Sequence, residues 1–448
     1  MQCAQKGLLH HVLGISIAAS EPAREIVGRV QMRQYDLFEQ LRPLCIYRVR
    51  GQSIPELFDS RQQRNMHDAH ISQIVYLSGL TYIPKRWINV SMTQKLSIRI
   101  LLAAVTLQSA AWAQLPELRN DSILDSLQSI TDSTVPPNGD LNPYGVAFVP
   151  TGFPAGTNIH PGDVLVANFN NSNNVQGTGT TIISMSPTGT QSLFATSTLM
   201  GLDTALGVLS RGFVIVGNLP VTSSGPQPGA LQVFDRNGAL VTTFSGPLLD
   251  SPWDLTVNDQ GSTAQVFVSN VLSGTVTRLD LSISNSGVTL VKKTQIGSGF
   301  TSQPNSAAVV VGPTGLAYDP SREILYVAST ADNEIFAIND AGDRKTDAGR
   351  GFVVFADQNH LHGPLGLTLG PNGNLITANG DAVFAGGTQN ELVEFTPQGV
   401  LVATYQLDGG NPGGAFGVAS THTPQAIRFA AVDDDLNTLT IWTLRSTP

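Results

Sequence analysis

The residues able to do chemistry gather in a few places. His360 and His362 flank Leu361, and in an extended chain that spacing turns both rings to one side. Only His160 and His422 join them after residue 113. Acidic residues cluster at Asp381 and in the run Asp433-Asp434-Asp435. Such carboxylates suit a hard cation such as Ca²⁺, and equally describe a solvated hairpin tip. Six positions that close apolar runs carry Asn168, Asn218, Asn270, Ser329, Asn379 and Asp433. An amide there either caps the following turn or joins a polar collar for a sugar or peptide backbone. A second set of six, Tyr144, Leu206, Trp253, Thr314, Leu365 and Phe416, is mostly apolar or aromatic and offers no carboxylate. Neither Gly-x-Ser-x-Gly nor His-Glu-x-x-His occurs, and Gly177-Thr178-Gly179 has no helix pattern after it, so no phosphate loop is present.

Both sets of six are traces of one repeat. Pro-x-Gly followed by an alternating apolar strand occurs at Pro143-Tyr144-Gly145, Pro313-Thr314-Gly315 and Pro364-Leu365-Gly366. Weaker copies stand at Ala205-Leu206-Gly207, Pro252-Trp253-Asp254 and Ala415-Phe416-Gly417. The copies recur every 47 to 62 residues, and each is followed by an apolar strand ending in a small residue and then Asn, with Ser329 and Asp433 departing from the pattern. Third and fourth strands follow, joined by hairpin sequences such as Arg236-Asn237-Gly238 and Pro397-Gln398-Gly399. Six repeats of four strands predict an all-β, six-bladed β-propeller of antiparallel blades over residues 142–448. One such sheet cannot cover both its faces, whereas a ring of them can. The last repeat holds only three strands, so a segment at residues 129–135, within the N-terminal stretch 114–141, is expected to supply the fourth and close the ring.

Composition supports a folded chain of a particular kind. Hydrophobic residues make up 41% and charged residues 13% of 448, which excludes general disorder and coiled coils. The net charge of −9 lacks the basic field of a nucleic-acid binder. That charge is unevenly spread. Residues 1–113 hold 13 Lys and Arg against 7 Asp and Glu, while residues 114–448 hold 12 against 27. The join has the layout of a secretory signal peptide over residues 92–113: Met92, a basic start at Lys95 and Arg99, an apolar stretch from Ile100 to Val105, and Ala111-Trp112-Ala113. The apolar part is too short to span a membrane. A secreted or periplasmic protein starting at Gln114 is expected, with residues 1–91 a non-native upstream extension. Cys3 and Cys45 both fall in that extension, so the exported part has neither disulfides nor a lipid-anchored cysteine.

The segment Pro313-Thr314-Gly315-Leu316-Ala317, Leu325-Tyr326-Val327-Ala328 and Asn333-Glu334-Ile335-Phe336 resembles the NHL-repeat class of propellers. The resemblance implies the fold, and it leaves function open because that scaffold hosts receptors, lyases, lactonases and binding modules. In calcium-dependent lactonases of this architecture, ligands at the channel-mouth entries are Glu, Asn and Asp. Here those entries are Tyr144, Leu206, Trp253, Thr314, Leu365 and Phe416, which counts against a lactonase. Strand starts and the turns after second strands share one mouth, and those turns are long in repeats one (169–179), two (219–229) and five (380–388). Repeats five, six, one and two should therefore raise one side of the mouth. The expected function is a monomeric binding module, without cofactor, for a protein, peptide or glycan. Its candidate contacts are Tyr144, Asn168, Phe169, Asn218, Trp253, Asn270, Asn379, Asp381 and Asp433. The alternative is an extracellular lyase or lactonase-like hydrolase, with Ca²⁺ as the one cofactor the acidic residues leave open, using Asp381, Asp433 and the two histidines.

Overall fold

The structure, a computed structural model, describes residues 122–124, 129–306, 308–380, 383–384, 391–409, 413–423 and 426–445. The upstream extension, the signal segment, Gln114, Asp381 and most of the 380–388 turn lie outside them.

Six four-stranded antiparallel sheets form the blades of a β-propeller. From the innermost strand outward, the first blade is Leu141–Phe148, Val164–Asn170, Thr181–Met185 and Gln191–Thr196. The second is Leu202–Leu209, Phe213–Asn218, Leu231–Asp235 and Leu240–Phe244. The third is Pro252–Asp259, Thr263–Asn270, Thr275–Ser284 and Gly287–Ser298. The fourth is Pro313–Asp319, Ile324–Ser329, Glu334–Ile338 and Phe352–Phe355. The fifth is Pro364–Leu369, Leu375–Asn379, Leu392–Phe395 and Leu401–Tyr405. The sixth takes Ala415–His422, Ala426–Asp433 and Thr438–Arg445 from the end of the chain and Ser129–Ser133 from its N-terminal part. This last strand pairs with Thr438–Arg445 from Ser129 opposite Trp442 to Ser133 opposite Thr438. Thr134 N extends the seam by donating to Asn437 O at 2.9 Å. Closure thus joins the two ends of the propeller and covers what would be an open sheet edge.

Every innermost strand is bulged near its start, five of them at the Pro-x-Gly copy and the second blade's just before it, between Leu202 and Leu206, where the register with the second strand slips. A bulge re-aims one side chain. Here the middle residue of each copy is buried, and the glycine abuts the next blade. A Cβ on Gly417 would lie 1.9 Å from Tyr144 O, on Gly366 2.3 Å from Phe416 O, and on Gly315 2.4 Å from Leu365 O. Only glycine lets the innermost strands approach so closely, which is why the sequence repeats it. The third blade departs: Asp254 stands there, and its Oδ2 accepts a hydrogen bond from Leu316 N of the fourth blade at 2.9 Å. Between the blades lie separate apolar clusters, such as Phe355, Phe395 and Tyr326 in one seam and Phe429, Trp442 and Ile376 in another.

Candidate functional site

The side chains aimed by the bulges close one end of the channel. Tyr144, Trp253, Thr314, Leu365 and Phe416 are all at most 1% exposed. Leu206, expected among them, instead lies past the bulge of its strand opposite Val216, as Val146 lies opposite Val166, and lines the channel below them. Tyr144 lies 4.4 Å from Phe416, 4.6 Å from Phe169 and 5.9 Å from Trp253, ring centre to ring centre. Thr314 Oγ1 donates to Pro364 O at 3.1 Å and bonds Thr330 Oγ1 at 2.9 Å. Tyr144, Phe169 and Trp253 therefore sit in an aromatic plug, inside an apolar cluster that also holds Leu219 and Val271.

The asparagines ring this plug from outside, and each ties the segment entering a blade to the end of its second strand. Asn218 accepts from Ala230 N at 2.8 Å and donates to Met200 O at 2.9 Å. Asn270 accepts from Asp250 N and donates to Thr277 Oγ1. Asn379 accepts from His362 N at 3.1 Å and donates to His360 O at 2.8 Å. Asn168 donates to Thr181 Oγ1 and to Thr134 O. All four are buried. Of the two roles open to these amides, the structural one accounts for these bonds.

The loops above the plug are interlocked. Gly179, Gly201 and Leu219 are linked by the bonds Gly201 N to Gly179 O and Leu219 N to Gly201 O. A Cβ on Gly177 would strike Val221 at 2.4 Å, so the loops of blades one and two lie directly against each other. A small hairpin, Val221–Thr222 with Gly225–Pro226, stiffens the second loop. The low side expected at blades three and four is instead raised by a hairpin between them, Gln303–Asn305 with Val309–Val311. That strand pair belongs to the connection between blades, which a reading confined to the turns after second strands overlooks.

Carboxylates meet between blades five and six. Asp433 Oδ1, Glu391 Oε1 and Asp435 Oδ2 lie 3.1, 3.3 and 3.5 Å from the point where a Cβ on Gly414 would sit. Glu391 accepts from the backbone N–H groups of Leu407, Asp408 and Gly414, and Asp433 from that of Leu436. Burial raises the pKa of Glu391 and Asp435 and pushes Asp433 up to about 6, with neighbouring Asp408 adding to the rise. Glu391 and Asp408 are missed by a reading that looks for runs, because the fold alone brings them to Asp433. The point the three oxygens share is next to the backbone itself, and two of those oxygens, Glu391 Oε1 and Asp433 Oδ1, already accept N–H bonds. Among the described residues no set of three or more His, Cys, Asp or Glu has metal-binding spacing. The histidines take separate partners: His360 Nδ1 pairs with Asp357 Oδ2 at 2.7 Å, and His362 Nδ1 donates to Phe384 O at 3.0 Å.

Beneath the plug the central channel has a volume of about 270 Å³ and is walled by the later halves of the innermost strands, including Phe148, Val208, Leu367 and Ser420. Asp254 is its one titratable lining residue. Burial raises this carboxyl well above the usual carboxylate range, against the N–H bonds from Leu316 and Leu255.

No family model and no curated protein matches the sequence. The chain is similar in structure to several solved propellers. A catalytically inactive virginiamycin B lyase from Staphylococcus aureus, solved with quinupristin, aligns at 12% identity and a TM-score of 0.42, covering 71% of this chain and all of the lyase. A gluconolactonase from Xanthomonas campestris aligns at 15% and 0.45, covering 72% of this chain and 90% of its own. A chain of a nidogen–laminin complex aligns at 11% and 0.37, covering 59% and 80%. Identities this low leave each neighbour's chemistry with that neighbour.

Proposed function

We propose that the chain is an exported, NHL-like propeller that binds a protein, peptide or glycan on the plugged face. The aromatic plug is the observation that carries this reading. Catalysis in a propeller channel calls for several titratable groups converging in a cavity that substrate can enter. On this face Tyr144, Trp253, Leu365 and Phe416 are buried in one apolar cluster, and their bulk goes into stability. The accessible surface is the interlocked wall of blades one and two. It exposes Val175 and Met200, at 49% and 50%, beside a loop rich in amides: Asn171, Asn173 and Asn174. Apolar anchors next to amide donors and acceptors are the usual means of holding a peptide or sugar on a rigid scaffold.

Glycan and peptide arrays probed with the parent and with a Val175→Asp/Met200→Asp double variant test this. A ligand class retained by the parent and lost by an equally stable variant supports the reading. Hits that all survive the double substitution would overturn it.

The second reading, an extracellular propeller lyase or lactonase-like hydrolase, is favoured by the group around Gly414. A carboxyl with a pKa of about 6, such as Asp433, can hold a proton and donate it near neutral pH. This reading requires turnover of a lactone or uronide panel by the parent and its loss in Asp433→Asn.

A further inference from the structure

The face opposite the plug carries a second cavity, of about 570 Å³, at the meeting of blades one, two and three. It is built from turns. Ser210, Arg211 and Gly212 join the first two strands of blade two, and Asp235, Arg236 and Asn237 begin its outer hairpin. Pro154 comes from the long turn of blade one and Asn285 from blade three.

Two arginines define its character. The side chains of Arg278, Arg322, Arg344, Arg350 and Arg428 are all engaged by carboxylates or backbone carbonyls. Arg211 and Arg236 are the two described arginine side chains without any hydrogen bond or ion pair, and both line this one cavity. In a chain of net charge −9, two unpaired cations lining one cavity are set against the general electrostatic tendency of the molecule.

Their surroundings are fixed. Asp235 Oδ1 accepts from Asn237 N at 2.8 Å and Ala239 N at 3.0 Å, which holds the outer turn. Gly156 of blade one passes so close to Arg236 O that a Cβ would lie 1.7 Å from it. Gly212 has φ +99° and lies against Pro154, where a Cβ would meet the ring at 2.8 Å. Ser210 N is held by Asp259 Oδ2. Three kinds of group face the space. The guanidinium groups present planar forks of donors suited to a carboxylate. The Ser210 hydroxyl, the amides of Asn237 and Asn285, and the second oxygen of Asp235 suit hydroxyl groups. Pro154 and Phe213 provide an apolar wall for a C–H face.

We infer that this cavity binds an acidic saccharide, with the ligand's carboxylate between Arg211 and Arg236 and its hydroxyls on the amides and Asp235. The volume falls in the range of small-molecule sites and accommodates about two sugar rings. An inorganic anion would use the arginines alone and leave the other groups idle.

Calorimetric titration of the full chain with uronic-acid disaccharides tests the inference. Binding is expected to weaken about tenfold in Arg211→Gln and in Arg236→Gln, and to vanish in the double variant, with melting temperatures unchanged. The neutral methyl esters should bind about tenfold more weakly, and salt raised from about 50 to about 500 mM should weaken the acid form. Because the cavity is on the other face, Val175→Asp/Met200→Asp should bind normally, which separates this test from that of the proposed function. Binding that is absent, indifferent to both arginines, equal for ester and acid, or matched by inorganic sulfate would overturn the inference.

Discussion

Replacing Asp254 by asparagine separates the charge of this side chain from its place in the ring. Its carboxyl is 8% exposed and accepts from Leu255 N at 2.8 Å and Leu316 N at 2.9 Å, with no ion pair. Burial raises its pKa, so above about pH 4 the folded protein keeps a proton that the unfolded chain has released. The stability this group contributes is therefore full below that pH and lost as pH rises toward the folded pKa. One proton gives a slope of at most about 1.4 kcal/mol per pH unit. That corresponds to no more than about 2–4 °C per pH unit for a domain of this size. Asparagine cannot ionise, and its single acceptor oxygen must serve two N–H groups, which costs about 1–3 kcal/mol if one is left unpaired. The variant should thus melt below the parent at pH 4, and the gap should narrow as pH rises toward the folded pKa of Asp254. Glu391, Asp433 and Asp435 are also raised by burial, but they are present in both proteins and cancel in the difference. Scanning calorimetry from pH 4 to 8 reads the gap directly. A gap that stays constant refutes the reasoning.

Other consequences can be checked separately. Trp253→Ala removes the largest side chain of the plug and should cost about 3–5 kcal/mol, read as a lower denaturation midpoint. Deleting residues 114–136 removes Ser129–Ser133 from the sixth blade and should cause aggregation or a large fall in melting temperature; a truncated chain that melts like the parent would contradict the closure. Expression of the whole reading frame in an exporting host should yield a protein whose N-terminal sequence begins near Gln114.

The sequence announces the ring through residues that the ring's geometry leaves no choice about. Glycine recurs in the bulges of blades four, five and six because neighbouring backbones occupy the space a Cβ would need, and Asp254 takes its place in blade three. The closing strand was legible as a deficit: three strands where five other repeats have four. The candidate site was less legible. Tyr144, Trp253 and Phe416 could be assigned to the channel entry, but whether they face a ligand or one another depends on six strands meeting, which no local pattern encodes. Glu391 and Asp408 reach Asp433 only through the fold, and Arg211 and Arg236 come to one cavity through two turns of one blade. Asp254 was visible as a broken repeat, and its bond to Leu316 explains the break.

The proposed function places ligand binding on packed and hydrogen-bonded groups, without a metal. The most direct measurement is the melting temperature of the full chain with and without EDTA, repeated with added Ca²⁺. The same melting temperature is expected under all three conditions. A metal held at about 100 times its dissociation constant would add about 2.7 kcal/mol to the folded state, several degrees in a domain of this size. A melting temperature that falls with EDTA, recovers with Ca²⁺, and no longer responds in Asp433→Ala would contradict the account and move the function to the carboxylates around Gly414.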